Sequence, residues 1–156
     1  MSEMENEMEP GYKVLFEYSV DISARPAAAF AAIADPKVQM TFDQDFEGEK
    51  LTEGPIGRGT RFRGRIKGLG SADYEYSEFE SGHLIEHATK TPMGRLRYRF
   101  EFSAAPAGTR LVQRSTGDLN LLGVVILPLM KGRVEARMRV LNSRIKTYAE
   151  GLKATP

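Results

Sequence analysis

From about Pro128, the spacing of hydrophobic residues becomes helical and stays so nearly to the C-terminus, and this change limits the folds that the chain can adopt. Upstream of this point, apolar and polar residues alternate over several segments, which is typical of half-buried β-strands. Downstream, apolar residues recur every three or four positions nearly to the C-terminus, which predicts one long amphipathic helix. The sequence therefore predicts an α+β fold. The apolar stripe of the long helix comprises Met130, Val134, Met138, Leu141, Ile145, Tyr148 and Leu152.

Three alternating segments, at residues 12–22, 61–67 and 94–102, assign side chains to the two faces of a sheet. A further strand is predicted within residues 109–119, but the pattern does not decide which of its faces is buried, because Leu111 and Val112 are both apolar and point to opposite faces. The predicted inward residues are Val14, Phe16, Tyr18, Val20 and Ile22 in the first segment, Phe62, Gly64 and Ile66 in the second, and Leu96, Tyr98, Phe100 and Phe102 in the third.

Two turn signals predict hairpins and their registers. The glycines of residues 68–70 indicate a three-residue loop, which would place Arg63 opposite Glu75. A turn at 81–82 would set Tyr76 opposite His87 on the inner face of the sheet. The same register would place Glu78 opposite residue 85, as a diagonal neighbour of His87.

The segment VDISARPAAAFAAIADP predicts a strand that leads into a short helix over residues 26–34. Ser23 is the expected N-cap, and a proline lies in the first helical turn. Pro36 ends the helix and opens a second short helix through Met40 and Phe42. The alanines keep the first helix thin, so that it can pack closely against the layer beneath it.

Composition limits the class of protein. A chain of 156 residues suits one domain, and the absence of cysteine excludes disulfides and thiolate metal sites. With two histidines in the chain, we expect no structural metal and no cofactor. The acidic start predicts a disordered tail over residues 1–11 rather than a signal peptide, with one domain over 12–152. The longest apolar run, LLGVVILPLM, is too short to span a bilayer, so we expect a cytoplasmic protein without integral membrane association.

These features together resemble the START-like (SRPBCC) superfamily, specifically its polyketide cyclase/dehydrase and lipid-transport family. The resemblance rests on the order of elements, on VDISARPAAAFAAIADP at the first junction and on AGTRLVQRSTGDL before the last helix. It implies a helix-grip fold, with a curved antiparallel sheet of about seven strands around the C-terminal helix and two short helices after the first strand. It also implies that a small hydrophobic or amphipathic ligand binds between the sheet and the helix, for transport or sensing.

We expect the ligand to contact inward-facing residues of the strands and apolar residues of the stripe on the last helix. Tyr76, Glu78 and His87 are also candidates for general acid and base chemistry, as in a polyketide cyclase or dehydratase. An alternative is that Glu78 lies in solvent and the tyrosines fill the core. The expected ligand-binding set is Phe62, Tyr74, Tyr76, Ile85, His87, Leu96, Tyr98, Phe100, Met130, Val134 and Met138.

Two other classes remain as alternatives. Rows of arginines within residues 61–65 and 95–99 could suggest a nucleic-acid surface, but Asp73 and Glu75 offset the first row, so we expect a solvated outer face. A basic outer face could instead serve a protein-interaction module of the co-chaperone type. The run LLGVVILPLM either packs over the core or forms a membrane-touching or dimerising lip, and a homodimer is possible.

Overall fold

The computed structural model describes residues 10–153, which form one antiparallel sheet of seven strands and three helices, the predicted helix-grip architecture. The predicted acidic tail, residues 1–11, lies outside the described residues except for Pro10 and Gly11. Along the sheet, the strands are ordered β1-β7-β6-β5-β4-β3-β2. The elements are β1 (Lys13–Ile22), α1 (Pro26–Ala34), α2 (Pro36–Gln39), β2 (Phe46–Lys50), β3 (Arg61–Ile66), β4 (Gly70–Glu80), β5 (Leu84–Thr91), β6 (Gly94–Ala105), β7 (Gly108–Leu119) and α3 (Leu121–Lys153).

The core lies between the inner face of the sheet, helix α1 and the C-terminal half of α3. Ala29 and Ala32 of α1 are fully buried, as is Ala149 of α3. These small side chains allow α1 to pack closely on α3 and on strands β6 and β7, as the alanine-rich segment predicted. Leu111 is fully buried, so β7 turns this residue inward and Val112 outward.

The outward facing of the arginines on β3 is confirmed, but the register of the first hairpin was wrong by two residues. Arg63 lies opposite Asp73 rather than Glu75, and its Nε donates to Asp73 Oδ1 at 2.9 Å. The error arose because Gly70 belongs to the strand and pairs with Ile66, so the loop spans 67–69. A shift of two residues preserves the faces of both strands.

Bulges changed two further predictions. An irregularity between Val14 and Phe16 turns Val14 outward, and it is 44% exposed. A second irregularity, between Tyr76 and Glu78, follows the predicted pair of Tyr76 and His87. Beyond this bulge, Glu78 lies opposite Glu86 instead of Ile85, because the extra residue reverses the facing of the strand end.

Helix boundaries also differ from the predictions. Helix α1 has Arg25 rather than Ser23 at its N-cap, and α2 ends at Gln39 before reaching Phe42. Helix α3 begins at Leu121 rather than near Pro128, so the apolar segment LLGVVILPLM forms its first turns. Within residues 10–153, no helix combines the length and the apolar character that crossing a membrane requires.

Candidate ligand-binding cavity

A cavity of about 420 Å³ lies between the inner face of the sheet and helix α3. Most of its wall is apolar and comes from β3 to β7 on one side and from residues 127–141 of α3 on the other. Several expected binding residues therefore line the same cavity, because alternate residues of a strand point to one face of the sheet and residues three or four apart share one face of a helix. These residues are Tyr74, His87, Leu96, Tyr98, Phe100, Met130, Val134 and Met138.

Three of the expected binding residues, Phe62, Tyr76 and Ile85, lie in the core beside the cavity instead of on its wall. Each is almost completely buried, with at most 1% of its surface exposed. The Phe62 ring packs on Tyr74 at 5.2 Å and on Tyr76 at 4.6 Å between centroids. These residues support the aromatic wall from behind.

His87 lies in this aromatic wall, between two tyrosine rings. Its ring stacks on Tyr74 at 4.6 Å and on Tyr76 at 5.0 Å, and it contacts Phe100 at 5.5 Å. His87 lines the cavity, and its side chain is partly accessible. Burial away from bulk water lowers the pKa of His87 to about 3, so the imidazole is neutral at physiological pH.

The Nε2 atom of His87 is buried and has no hydrogen-bond partner among the described residues. A buried polar atom without a partner costs roughly 1–3 kcal/mol. A neutral imidazole nitrogen can accept a hydrogen bond from a hydroxyl group or donate one to a carbonyl, depending on the tautomer. The wall beside the cavity thus holds an unpartnered polar atom that is enclosed by neighbouring side chains.

Strand β7 adds two polar residues that the sequence reasoning missed, Gln113 and Ser115, both nearly fully buried and both lining the cavity. The Oε1 atom of Gln113 has no partner within the described part of the chain. Ser115 pairs in register with Tyr98. Burial raises the pKa of Tyr98, and a hydrogen bond with Ser115 offsets part of that rise. Choosing Leu111 as the inward residue would have identified Gln113 and Ser115 by alternation.

A buried ion cluster forms the part of the cavity wall nearest α2. The guanidinium of Arg137 donates to both carboxylate oxygens of Asp43, at 2.9 and 2.6 Å, and Asp43 is fully buried. Arg144 donates to Asp43 at 2.6 Å and to Asp45 at 2.8 Å, while Gln39 donates to Asp43 at 3.0 Å. These contacts join the loop after α2 to the middle of α3.

The pKa of Asp43 falls to about 2 in this cluster. Burial of the carboxylate raises its pKa, but hydrogen bonds from Arg137, Gln39 and Arg144 outweigh that effect. The sequence reasoning missed the cluster. The one local signal of this cluster in the sequence was that Arg137 and Arg144 are seven residues apart, a spacing that places both on one face of a helix.

The structure does not bring the three candidate catalytic residues together at the cavity. His87 lines it, but the Tyr76 hydroxyl donates to the carbonyl oxygen of Ala34 at 2.9 Å, at the end of α1. Glu78 lies opposite Glu86, whose carboxylate contacts Arg99 at 3.1 Å on the outer face. In the described part of the chain, no three His, Asp or Glu side chains are grouped so that they could hold a metal ion.

The cavity wall continues to the turns and the helix end that bound it on one side. The β3–β4 turn contributes Leu69, the β5–β6 turn contributes Pro92 and Met93, and α3 contributes Leu127 and Met130. We refer to this region as the mouth. Its wall remains mainly apolar, so an apolar ligand meets few charged groups along it.

Comparisons with known proteins agree with this geometry. The family model described as "Polyketide cyclase / dehydrase and lipid transport" matches residues 13–150. No curated protein matches the sequence.

Three solved structures illustrate the shared fold. The chain is similar to the di-domain ARO/CYC StfQ from the steffimycin biosynthetic pathway, with a TM-score of 0.74 and 12% identity over 90% of this chain and 51% of that one. It is similar to Ara h 8.0201, with a TM-score of 0.68 and 15% identity over 88% and 97% of the two chains. It is also similar to protein MLL2253 from Mesorhizobium loti, with a TM-score of 0.67 and 15% identity over 92% and 99%.

Proposed function

The chain belongs to the polyketide cyclase/dehydrase and lipid transport family of START-like proteins, and we propose that it binds a small amphipathic molecule in the cavity. The ligand has a flat apolar body that packs on the aromatic wall and at least one hydroxyl or carbonyl group. A role in transport or sensing, and a cytoplasmic location, are parts of the same proposal.

The cavity of about 420 Å³ with its mainly apolar wall is the observation that carries this proposal, and the unpartnered Nε2 of His87 suggests the polar group that we expect on the ligand. Apolar side chains could line the same wall without the cost of a buried polar atom. Because Nε2 is enclosed as well as unpartnered, a ligand hydroxyl that donates to it removes that cost once a neighbouring side chain moves aside. The stacked rings of Tyr74 and Tyr76 hold the imidazole in place, so its hydrogen bond has a fixed direction.

The two alternatives have less support. A cyclase or dehydratase needs a base and an acid at the substrate, but a pKa of about 3 makes His87 a weak base, and Glu78 does not line the cavity. An interaction module of the co-chaperone type does not require an internal space, and a cavity of about 420 Å³ therefore favours ligand binding.

A pair of matched probes tests the proposal. Naphthalene and 2-naphthol have the same flat apolar body, and 2-naphthol adds one hydroxyl group. We expect the wild-type protein to bind 2-naphthol about 2- to 10-fold more tightly than naphthalene, the range that one hydrogen bond provides. Binding is measured by titration calorimetry and by fluorescence of the probe.

The variant His87→Phe keeps an aromatic ring and removes Nε2, so it should bind both probes equally. His83→Asn changes the other histidine, which is exposed and does not line the cavity, and should leave the preference intact. If neither probe binds the wild-type protein, the ligand proposal is wrong. If His87→Phe retains the preference for 2-naphthol, the assigned role of His87 is wrong.

A further inference from the structure

The first turns of α3 expose a continuous apolar surface, which we call the lip and define as residues 121–130. Leu121 and Leu129 are 81% and 79% exposed, and Val124 and Val125 are each 59% exposed. The segment LLGVVILPLM contains no charged residue. Exposed apolar side chains scattered singly are ordinary, but several clustered on one helical segment mark an interaction surface.

The lip adjoins the mouth of the cavity. Leu127 and Met130 face the cavity, while Leu129, between them in sequence, faces outward. Apolar surface therefore extends from the cavity wall to the outside of the protein along one helix.

The lip is held firmly on the domain. The side chain of Asn120 accepts a hydrogen bond from the Gly123 backbone at 2.9 Å and donates to the carbonyl of Pro92 at 2.8 Å. Gly123 lies so close to the β5–β6 turn that a Cβ atom there would be 2.2 Å from the carbonyl oxygen of Met93. The exposed leucines are thus presented by an ordered helix start.

Cations follow this apolar surface along α3 and lie near two turns beside the cavity. Lys131 and Arg133 follow the lip and are exposed, and Lys67 and Lys90 lie at the turns that bound the mouth. Glu135 is the acidic neighbour within this stretch of the helix, and it lies 3.7 Å from Lys131. An apolar centre with a basic rim complements a surface that is apolar inside and anionic outside.

We propose that the lip docks on the surface of an anionic lipid bilayer, with Leu121 and Leu129 entering the boundary between headgroups and acyl chains. A helix satisfies its own backbone in that environment, and basic residues near an anionic surface add to the affinity. A second copy of the chain fits less well, because a two-fold contact through this patch would bring the same cations together. The docking surface does not depend on the ligand proposed above.

Vesicle flotation tests the proposal. The full chain is mixed with vesicles of equimolar phosphatidylcholine and phosphatidylglycerol, or of phosphatidylcholine alone. We expect tighter binding to the anionic vesicles, and a decrease when salt is added. The double variant L121E/L129E should bind at least about 100-fold more weakly, since each buried leucine contributes about 10-fold or more. Lys131→Gln should weaken binding to the anionic vesicles by about 5-fold.

The control is V140E/L152E, which adds two carboxylates at exposed apolar positions of α3 outside the lip. It should retain vesicle binding within about 3-fold, since two exposed charges outside the docking surface have small, screened effects. Circular dichroism and unfolding in urea show that each variant is folded. The docking proposal fails if the wild-type protein binds neither vesicle, or if V140E/L152E loses as much binding as L121E/L129E.

A third outcome concerns the other occupant of the lip. If the wild-type protein sediments as a dimer that L121E/L129E dissociates, and does not float with vesicles, a second copy covers the lip and the proposal is overturned. Failure of the ligand proposal would look different. In that case 2-naphthol would bind neither the wild-type protein nor the lip variants, while vesicle binding would be unchanged.

Discussion

The hydroxyl group of Tyr76 donates a hydrogen bond to the carbonyl oxygen of Ala34, at 2.9 Å, and so connects strand β4 to the end of helix α1. The carbonyl of Ile33 lies 3.3 Å from the same hydroxyl. Carbonyl groups at the end of a helix have no partner within the helix, and α1 ends here without a capping glycine. Burial, together with the nearby groups of Tyr74 and Asp35, raises the pKa of Tyr76. Tyr76 therefore acts as a structural donor in the described structure.

The variant Tyr76→Phe should destabilise the protein by about 1–2 kcal/mol, because it leaves a buried helix-end carbonyl without its donor. The affinity for 2-naphthol should remain nearly unchanged, since Tyr76 does not line the cavity. Unfolding in urea provides the free energy. Tyr18→Phe is the control, because Tyr18 is only partly buried and its ring packs on Arg139, and it should cost less than 0.5 kcal/mol, about the effect of an ordinary surface change. Equal losses in the two variants would contradict the assigned role of the Tyr76 hydroxyl.

The pH dependence of stability should report on His87. The folded protein keeps this imidazole neutral down to about pH 3, whereas the unfolded chain protonates it near pH 6.5. The unfolded state therefore binds more protons as the pH falls below 6.5, and stability is lost progressively towards pH 3. Between about pH 7 and about pH 5, we expect the free energy of unfolding to fall by about 2 kcal/mol.

Removing the titrating group should flatten this profile. His87→Phe should show little change in stability between about pH 7 and about pH 5, whereas His83→Asn should behave like the wild-type protein. Asp43, with its pKa of about 2, contributes to the loss below about pH 4 and so does not affect this interval. A wild-type profile as flat as that of His87→Phe would show that His87 is not held neutral by burial.

The buried ion cluster should respond very differently at its two acidic positions. Asp43→Asn removes the carboxylate from a fully buried site where Arg137 is 11% exposed, and we expect a loss of about 3–5 kcal/mol. Asp45→Asn is the matched control. Its side chain is 37% exposed and contacts Arg144 alone in the cluster, so we expect a loss of about 0–1 kcal/mol. Urea unfolding at neutral pH compares the two variants, and similar losses would contradict the dominance of the Asp43 and Arg137 pair.

The general fold and part of the cavity wall could be predicted because they depend on local patterns. One face of each strand is buried, so alternation placed Leu96, Tyr98 and Phe100 correctly even where hairpin registers were unknown. A register error of two residues did not change any facing on β3. Helical spacing likewise placed Met130 and Val134 on the cavity side of α3.

The remaining features depend on contacts that no local pattern encodes. The bulge after Tyr76 displaced Glu78 from the cavity, and sequence alternation alone cannot locate an extra residue in a strand. Strand β7 carries apolar residues at both 111 and 112, so alternation could not choose a face or identify Gln113. The ion pair of Asp43 and Arg137 joins residues 94 positions apart, and the two side chains meet only in the completed fold.

Two glycines of α3 should respond in opposite ways to the same substitution, and this tests how the lip is seated. Gly123→Ala would place a Cβ atom 2.2 Å from the carbonyl oxygen of Met93 and 3.1 Å from Leu119 Cβ. Because the nearest atom belongs to the backbone, the start of α3 or the β5–β6 turn must move, and we expect a loss of about 1–3 kcal/mol.

Gly132→Ala is the control, since a Cβ atom at this exposed position has no neighbour within 4 Å. Alanine is the better helix former, so this variant should gain about 0.5–1 kcal/mol. Urea unfolding measures both free energies. Gly123→Ala should also weaken the binding of 2-naphthol, because Met93 lines the mouth and moves with the turn, whereas Gly132→Ala should not. If Gly123→Ala were as stable as Gly132→Ala, the close seating of the helix on the β5–β6 turn would be wrong, and the lip would have to be positioned by other contacts.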